Sequence, residues 1–361
     1  MNTVFATYDD AYNVLSRLSY DDFKRIKKEI SNIEIQFYEK KDVNDSVICP
    51  YCGSSHIKKN SHDKNGFQRF QCLESTCNKF FSERTNTIFY RSKKLHEWLP
   101  TMIECILNKD TIRKTKAKCG ISLETALNWR NKITYFSKYL FNSQLNGVVE
   151  FDETFTPFNF KGTKTVKMPR LSKKRGGATV SRKELICIGM AIDSNDNLVT
   201  KILGSGTHPT YNRLNSNFGK KIDNKSIFVC DNEQGLSRFC KESNLVYEVV
   251  DSKKHVSKNG YNINTINGIH SEYKLFLKQF RGVSTRHIES YINWFRLLKL
   301  LRYHIEENEQ VAHLYKELCS LKIKGNSFSF KKYHKRPYKV NVYSLYKKHK
   351  IIAWEYYRRE F

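Results

Sequence analysis

Gly147-Val148-Val149-Glu150-Phe151-Asp152-Glu153-Thr154 reads as an apolar strand that carries a carboxylate, Asp152, to its end. Ser226-Ile227-Phe228-Val229-Cys230-Asp231 repeats the pattern and closes on a second aspartate. A polar helix follows at Asn264-Thr265-Ile266-Asn267-Gly268-Ile269-His270-Ser271-Glu272-Tyr273-Lys274. Carboxylates at the ends of adjacent core strands, beside a helix offering oxygen and nitrogen groups, can hold Mg²⁺ or Mn²⁺ against a phosphodiester. Taken alone, Asp152 reads at least as well as a strand-end turn residue, and Asp231 as the N-cap of a helix beginning near Glu233.

The helix separates these readings. Drawn from Asn264, its core stripe is Ile266, Ile269, Tyr273, Leu277 and Phe280. Beside it runs a second stripe, Asn267, His270, Lys274 and Lys278, at i, i+3, i+7 and i+11. Exposed helix faces usually mix charge signs, whereas this one gathers an amide, an imidazole and two ammonium groups. A solvated face remains the alternative. Glu150, Glu233 and Glu272 are nearby acids, and Glu272 projects from a different face than Asn267.

Outward from this centre, strand-like runs occupy 148–153, 184–193, 197–204, 226–231 and 245–250, with a turn signal at Asp193-Ser-Asn-Asp-Asn197. Long helices are expected over about 264–281 and 284–303. Hairpin-linked strands followed by strands alternating with helices predict a mixed α/β sheet over 147–305.

Upstream, Cys49-Pro-Tyr-Cys52 and Cys72-Leu-Glu-Ser-Thr-Cys77 supply two thiolate pairs, enough for one closed tetrahedral Zn²⁺. The alternation in Phe67-Gln-Arg-Phe-Gln71 adds a strand, so 46–85 is expected to be a structural zinc ribbon. Within 93–141, Asp110–Ile133 reads as a helix, a glycine turn at Gly120, and a helix capped by Ser122. Ile112, Ala117, Ile121, Ala126, Trp129 and Ile133 form its expected core, leaving Glu124, Thr125, Asn128, Arg130 and Asn131 exposed for groove contacts.

The chain carries 63 Lys and Arg against 36 acids, a net charge of +27 over 361 residues. Such an excess points to a polyanionic partner, for which the motifs here make double-stranded DNA the expectation; a merely soluble basic protein is the bland alternative. Charge concentrates in Lys161–Lys183, where nine Lys and Arg, among them Lys173, Lys174 and Arg175, meet no acid. It concentrates again in the aromatic-rich end of 306–361, suited to phosphate contact and base stacking. Residues 1–45 read as a helical segment. No run of 18 apolar residues and no secretory signal is visible, and the six remaining cysteines lie scattered in apolar segments. A cytoplasmic, nucleoid-associated location is expected.

Zinc ribbon, helix-turn-helix, Asp152-Glu-Thr, Asp231 and Asn267-Gly-Ile-His270-Ser-Glu-Tyr-Lys274, in this order, resemble the bacterial insertion-sequence transposases of the IS-fifteen-ninety-five family. Phe280-Arg-Gly-Val-Ser-Thr-Arg-His-Ile-Glu-Ser-Tyr-Ile-Asn-Trp-Phe295 is similar to that family's continuation. The resemblance covers about 46–300. It implies an RNase H-like fold, metal-dependent 3′-end cleavage and strand transfer of DNA, and a homodimer or larger assembly on the element ends. It also implies that Asp152 and Asp231 bind the metals with Asn267 completing the shell, and that His270 and Lys274 handle phosphate. Asn267 departs from the glutamate that many members carry, and an uncharged amide weakens metal binding. A catalytically inactive zinc-containing DNA-binding protein and a metal-dependent nuclease on the same fold are the alternatives.

Overall fold

The computed structural model describes residues 17–19, 22, 47–63, 67–90, 92, 93, 95–141, 144–159, 185–205, 209–251 and 256–321. They divide into two compact units, one reaching to Arg130 and joined by residues from Asn308 onward, the other running from Asn131 to Glu307. The expected N-terminal helical segment lies almost wholly outside the described residues. The Lys161–Lys183 stretch and the basic aromatic end lie wholly outside them.

The first unit begins with a three-stranded antiparallel sheet: β1 Ile57–His62, β2 Gln68–Cys72 and β3 Phe80–Ser82. Its core is minimal. Phe70 and Phe81 stack with ring centroids 5.3 Å apart beside Cys49 and Cys72. Beyond it, α1 Leu95–Leu107 buries Leu95, Trp98, Leu99, Met102, Ile103 and Ile106, one stripe at helical spacing.

The expected helix pair is α2 Ile112–Cys119 and α3 Leu123–Phe136. Thr111 caps α2 by accepting the Lys114 N–H at 3.3 Å, and Gly120 ends it at φ 64°, a backbone region that favours glycine. Ser122 caps α3 by accepting the Thr125 N–H at 3.1 Å. A final helix, α7 Gln310–Ser320, packs on α1.

Two expectations for this pair are corrected. Arg130 is only 5% exposed and donates to the Asp110 carbonyl at 2.9 Å, and Asn131 is buried too. The reason is helical phase: Arg130 sits at i+4 from buried Ala126 and i−3 from buried Ile133, inside the stripe. Ala117 is exposed, while Thr115 and Cys119 carry the inner face of α2. Arg130→Ala is therefore expected to cost about 1.5–3 kcal/mol of stability, read in urea unfolding, and to leave DNA affinity per folded molecule unchanged. Asn128→Ala, at an exposed position, should do the opposite.

The second unit is built on five strands: β4 Val148–Pro157, β5 Leu185–Asp193, β6 Leu198–Ser205, β7 Ile227–Asp231 and β8 Val246–Val250. Their order is β6-β5-β4-β7-β8, antiparallel through β6, β5 and β4 and parallel through β4, β7 and β8. This arrangement, 3-2-1-4-5 by strand sequence, defines a mixed α/β fold of the RNase H-like class. β5 is buried on both faces, which explains its nearly unbroken apolar run. At its end, Asp193 organises the expected turn. Its carboxylate accepts the N–H groups of Asn195 and Asn197, both at 2.9 Å, and of Asn146 at 3.0 Å.

Helix α4 Gln234–Glu242 and the segment 211–219 cover one face of the sheet over Phe151, Phe218, Phe228, Cys230 and Phe239. Gly189 permits this closeness, since a Cβ there would stand 2.7 Å from Leu203 Cδ1 and 3.0 Å from Phe218 Cε2. The other face receives α5 Asn264–Gln279, which packs on β4 and β5, and α6 Ile288–His304, which packs on β6. Among the described residues, no helix is long and apolar enough to cross a membrane.

Candidate functional site

The thiols of Cys49, Cys52, Cys72 and Cys77 lie within 4.8 Å of one another. Cys49 and Cys77 sulfurs are 3.8 Å apart, and those of Cys52 and Cys72 3.6 Å. A tetrahedron with Zn–S bonds of about 2.3 Å has edges of about 3.8 Å, which these two separations match, so the four sulfurs are grouped closely enough for one zinc. Cys49 and Cys52 are placed by the turn in which the Gly53 N–H donates to the Cys49 carbonyl at 2.9 Å. β2 ends on Cys72, and the Cys77 N–H closes on the Glu74 carbonyl at 2.9 Å. His56 and His62 are exposed and are not needed to complete the set.

In the second unit, β4 runs ten residues, four past the point where the apolar pattern ends. Asp152 is thus its fifth residue and not its terminus, because Thr154, Phe155 and Thr156 continue the pairing with β5. β7 does end at Asp231. The parallel register pairs Glu150 with Val229, the last pair of that ladder. Carried on by two residues, the same register would bring Asp152 opposite Asp231, on neighbouring strands about 4.8 Å apart. Asp231 does not cap the following helix, which starts after Glu233.

Helix α5 lies over this face. His270 is 5% exposed, and its Nδ1 sits 3.4 Å from Asp152 Oδ2. The other Asp152 oxygen accepts the Glu153 N–H at 2.8 Å. Asn267, three residues before His270, and Lys274 and Lys278, after it, are exposed. His270 therefore departs from the expected phosphate-facing stripe: it is turned onto the sheet, toward Asp152. Glu272 binds Lys299 through both oxygens at 3.0 and 3.1 Å, and Glu150 accepts the Ile266 N–H at 3.0 Å. Both acids are thus committed elsewhere.

A further acid matters here. Glu153 is pushed from the ordinary 4.5 up to about 8 by burial, and then by the charges of Asp152 and Asp231. Its Oε1 is buried and has no hydrogen-bond partner. Asp152 and Asp231 offer hard carboxylate oxygens, with His270 Nδ1 beside Asp152 at 3.4 Å. That combination fits a divalent cation of the Mg²⁺ or Mn²⁺ type.

Glu153 also makes a testable mark on stability. Its folded pKa lies above its unfolded one, so the folded state holds the extra proton and stability falls as pH rises from about 4.5 to about 8. Glu153→Gln removes that titration. In metal-free thermal melts the wild type should lose ground to the variant across this window; parallel curves would contradict the assignment.

Of the expected DNA contacts, Asn128 and Lys278 are exposed and Arg130 is buried. Lys173, Lys174 and Arg175 lie outside the described residues. Glu153 was legible only as part of an Asp-Glu-Thr motif. Its alternation with Val149, Phe151 and Phe155, all packed on one face, is the signal that places it inside.

Fold and site together put the chain in the RNase H-like class, with a four-cysteine cluster as a separate feature. No family model and no curated protein sequence matches it. Among solved structures it is similar to the Mos1 strand transfer complex at 13% identity and a TM-score of 0.24, over 64% of this chain and 80% of that one. It is also similar to a pre-cleavage Mos1 transpososome at 12% identity and a TM-score of 0.20, over 62% and 79%. The Mos1 mariner paired end complex with Mn gives 13% and 0.20, over 60% and 79%.

Proposed function

We propose that this chain is a DNA transposase of an insertion sequence, resembling the IS-fifteen-ninety-five family, that cuts 3′ ends and joins them to target DNA. The observation that carries the reading is the parallel pairing of β4 with β7, whose register, extended two residues past Glu150 and Val229, would bring Asp152 opposite Asp231. Mg²⁺ or Mn²⁺, when bound, would supply Lewis-acid activation of the attacking oxygen and stabilise the leaving one.

The chain's own residues do the rest. Asp152 and Asp231 hold the ions, and Asn267 completes the shell with a carbonyl oxygen. His270 steadies Asp152 from beneath the helix, and Lys274, exposed one turn beyond, meets phosphate. Asn128, Lys278 and the Lys173–Arg175 cluster grip the DNA backbone, the ribbon and helix pair bind the terminal inverted repeats, and a dimer brings two ends together.

The test is an in vitro reaction with purified protein, linear DNA carrying the element ends, a supercoiled target plasmid and Mg²⁺ or Mn²⁺. Joined products support the proposal. Cleavage without joining would leave a metal-dependent nuclease. Binding without cleavage would leave a DNA-binding protein that has lost its chemistry, the reading favoured by the missing charge at Asn267.

A further inference from the structure

Helix α5 is capped only in part by its own segment, where the Asn262 side chain accepts the Asn264 N–H at 3.0 Å. Ile263 at its N-cap position provides no side-chain hydrogen bond, and no acid occupies the first turn. Yet the N–H of Ile266, one of the orphan donors of that turn, is satisfied from a distance. It donates to Glu150 Oε2 at 3.0 Å, a carboxylate delivered by β4 from 116 residues earlier. A carboxylate there also complements the positive end of the helix dipole.

The same strand face makes the next contact along. Asp152, two residues after Glu150, meets His270, four residues after Ile266. Two strand residues advance about 6.6 Å and four helix residues about 6 Å. The two contacts together tie α5 to β4 at two successive positions. Asn267 lies in sequence between the two contacts, one residue after Ile266 and three before His270.

We propose that Glu150 is a positioning residue: by capping α5 from the strand, it fixes the register that places Asn267 and His270 against Asp152 and so tunes the affinity for a divalent cation. This rests on the metal site described under the proposed function. It differs from simple capping, which would affect folding stability and leave metal affinity of the folded protein alone.

Three variants of the full chain separate these, read by hydrogen exchange over 264–270 and by Mn²⁺ titration followed by electron paramagnetic resonance. Glu150→Ala should speed exchange at the helix start and weaken Mn²⁺ binding on the order of 10-fold, under conditions where the protein remains folded. Glu150→Gln keeps an oxygen acceptor and should restore most of that affinity. Glu150→Asp shortens the arm and should fall between them. The proposal is overturned if Glu150→Ala binds Mn²⁺ like the wild type, if Glu150→Gln is as weak as Glu150→Ala, or if the wild type binds no Mn²⁺. Should the wild type bind Mn²⁺ with this variant pattern and still cut no DNA, the positioning role stands and the transposase reading falls.

Discussion

Replacing Cys72 with serine is expected to strip zinc from the protein and unfold residues 47–82, while the five-stranded sheet keeps its stability. Cys72 is fully buried at the end of β2, so the change removes one corner of the tetrahedron without creating a steric problem. The buried apolar side chains of this module, cysteines aside, are few: Phe67, Phe70 and Phe81, with partly buried Ile57 beside them. Such a core cannot offset the entropy of ordering the chain around it. The metal must do so, and structural zinc in comparable modules contributes roughly 10–16 kcal/mol of binding free energy near neutral pH. The effect should therefore be all-or-none. Atomic absorption should find one zinc per wild-type chain and none in the variant, and limited proteolysis should open new sites within the ribbon alone. A wild-type chain that carries no zinc, or whose ribbon resists protease in the presence of a strong chelator, would refute the assignment.

That this site was legible in the sequence, and others were not, has a physical reason. The four thiolates are found by local spacing, because each pair is brought together by a turn of a few residues. β5 was equally legible, since a strand buried on both faces must be apolar throughout. Asp152 looks like a strand end locally because polar residues follow it; the strand continues on cross-strand pairing with β5, which no local window contains. The inward turn of His270 and the cap supplied by Glu150 depend on contacts across more than a hundred residues. Nothing near Glu150 announces that its partner is a backbone N–H on a distant helix. Arg130 shows a different failure. The phase of α3 was visible, but a charged side chain was assumed to face water, whereas a guanidinium can lie inside when a carbonyl such as that of Asp110 receives it.

Asp152→Asn and Asp231→Asn should each abolish metal-dependent cleavage and joining, by on the order of a thousandfold or more, while retaining DNA binding. Each change keeps the side-chain shape and removes one unit of negative charge from the proposed metal site. Two consequences follow that a merely structural role would not produce. Glu153 loses one of the two charges that raise it, so the pH window over which the metal-free wild type loses stability should narrow in either variant. In metal-free protein the Glu153 midpoint should also move down in either variant, because one of the like charges raising it is gone. The two positions should then differ in one respect. Asp152 is half-buried against His270 and Asp231 is exposed, so the asparagine at 152 must also satisfy the imidazole and should carry the larger stability change. Activity surviving at wild-type level in either variant would remove both aspartates from the mechanism. Loss of activity together with loss of DNA binding would assign them to folding instead.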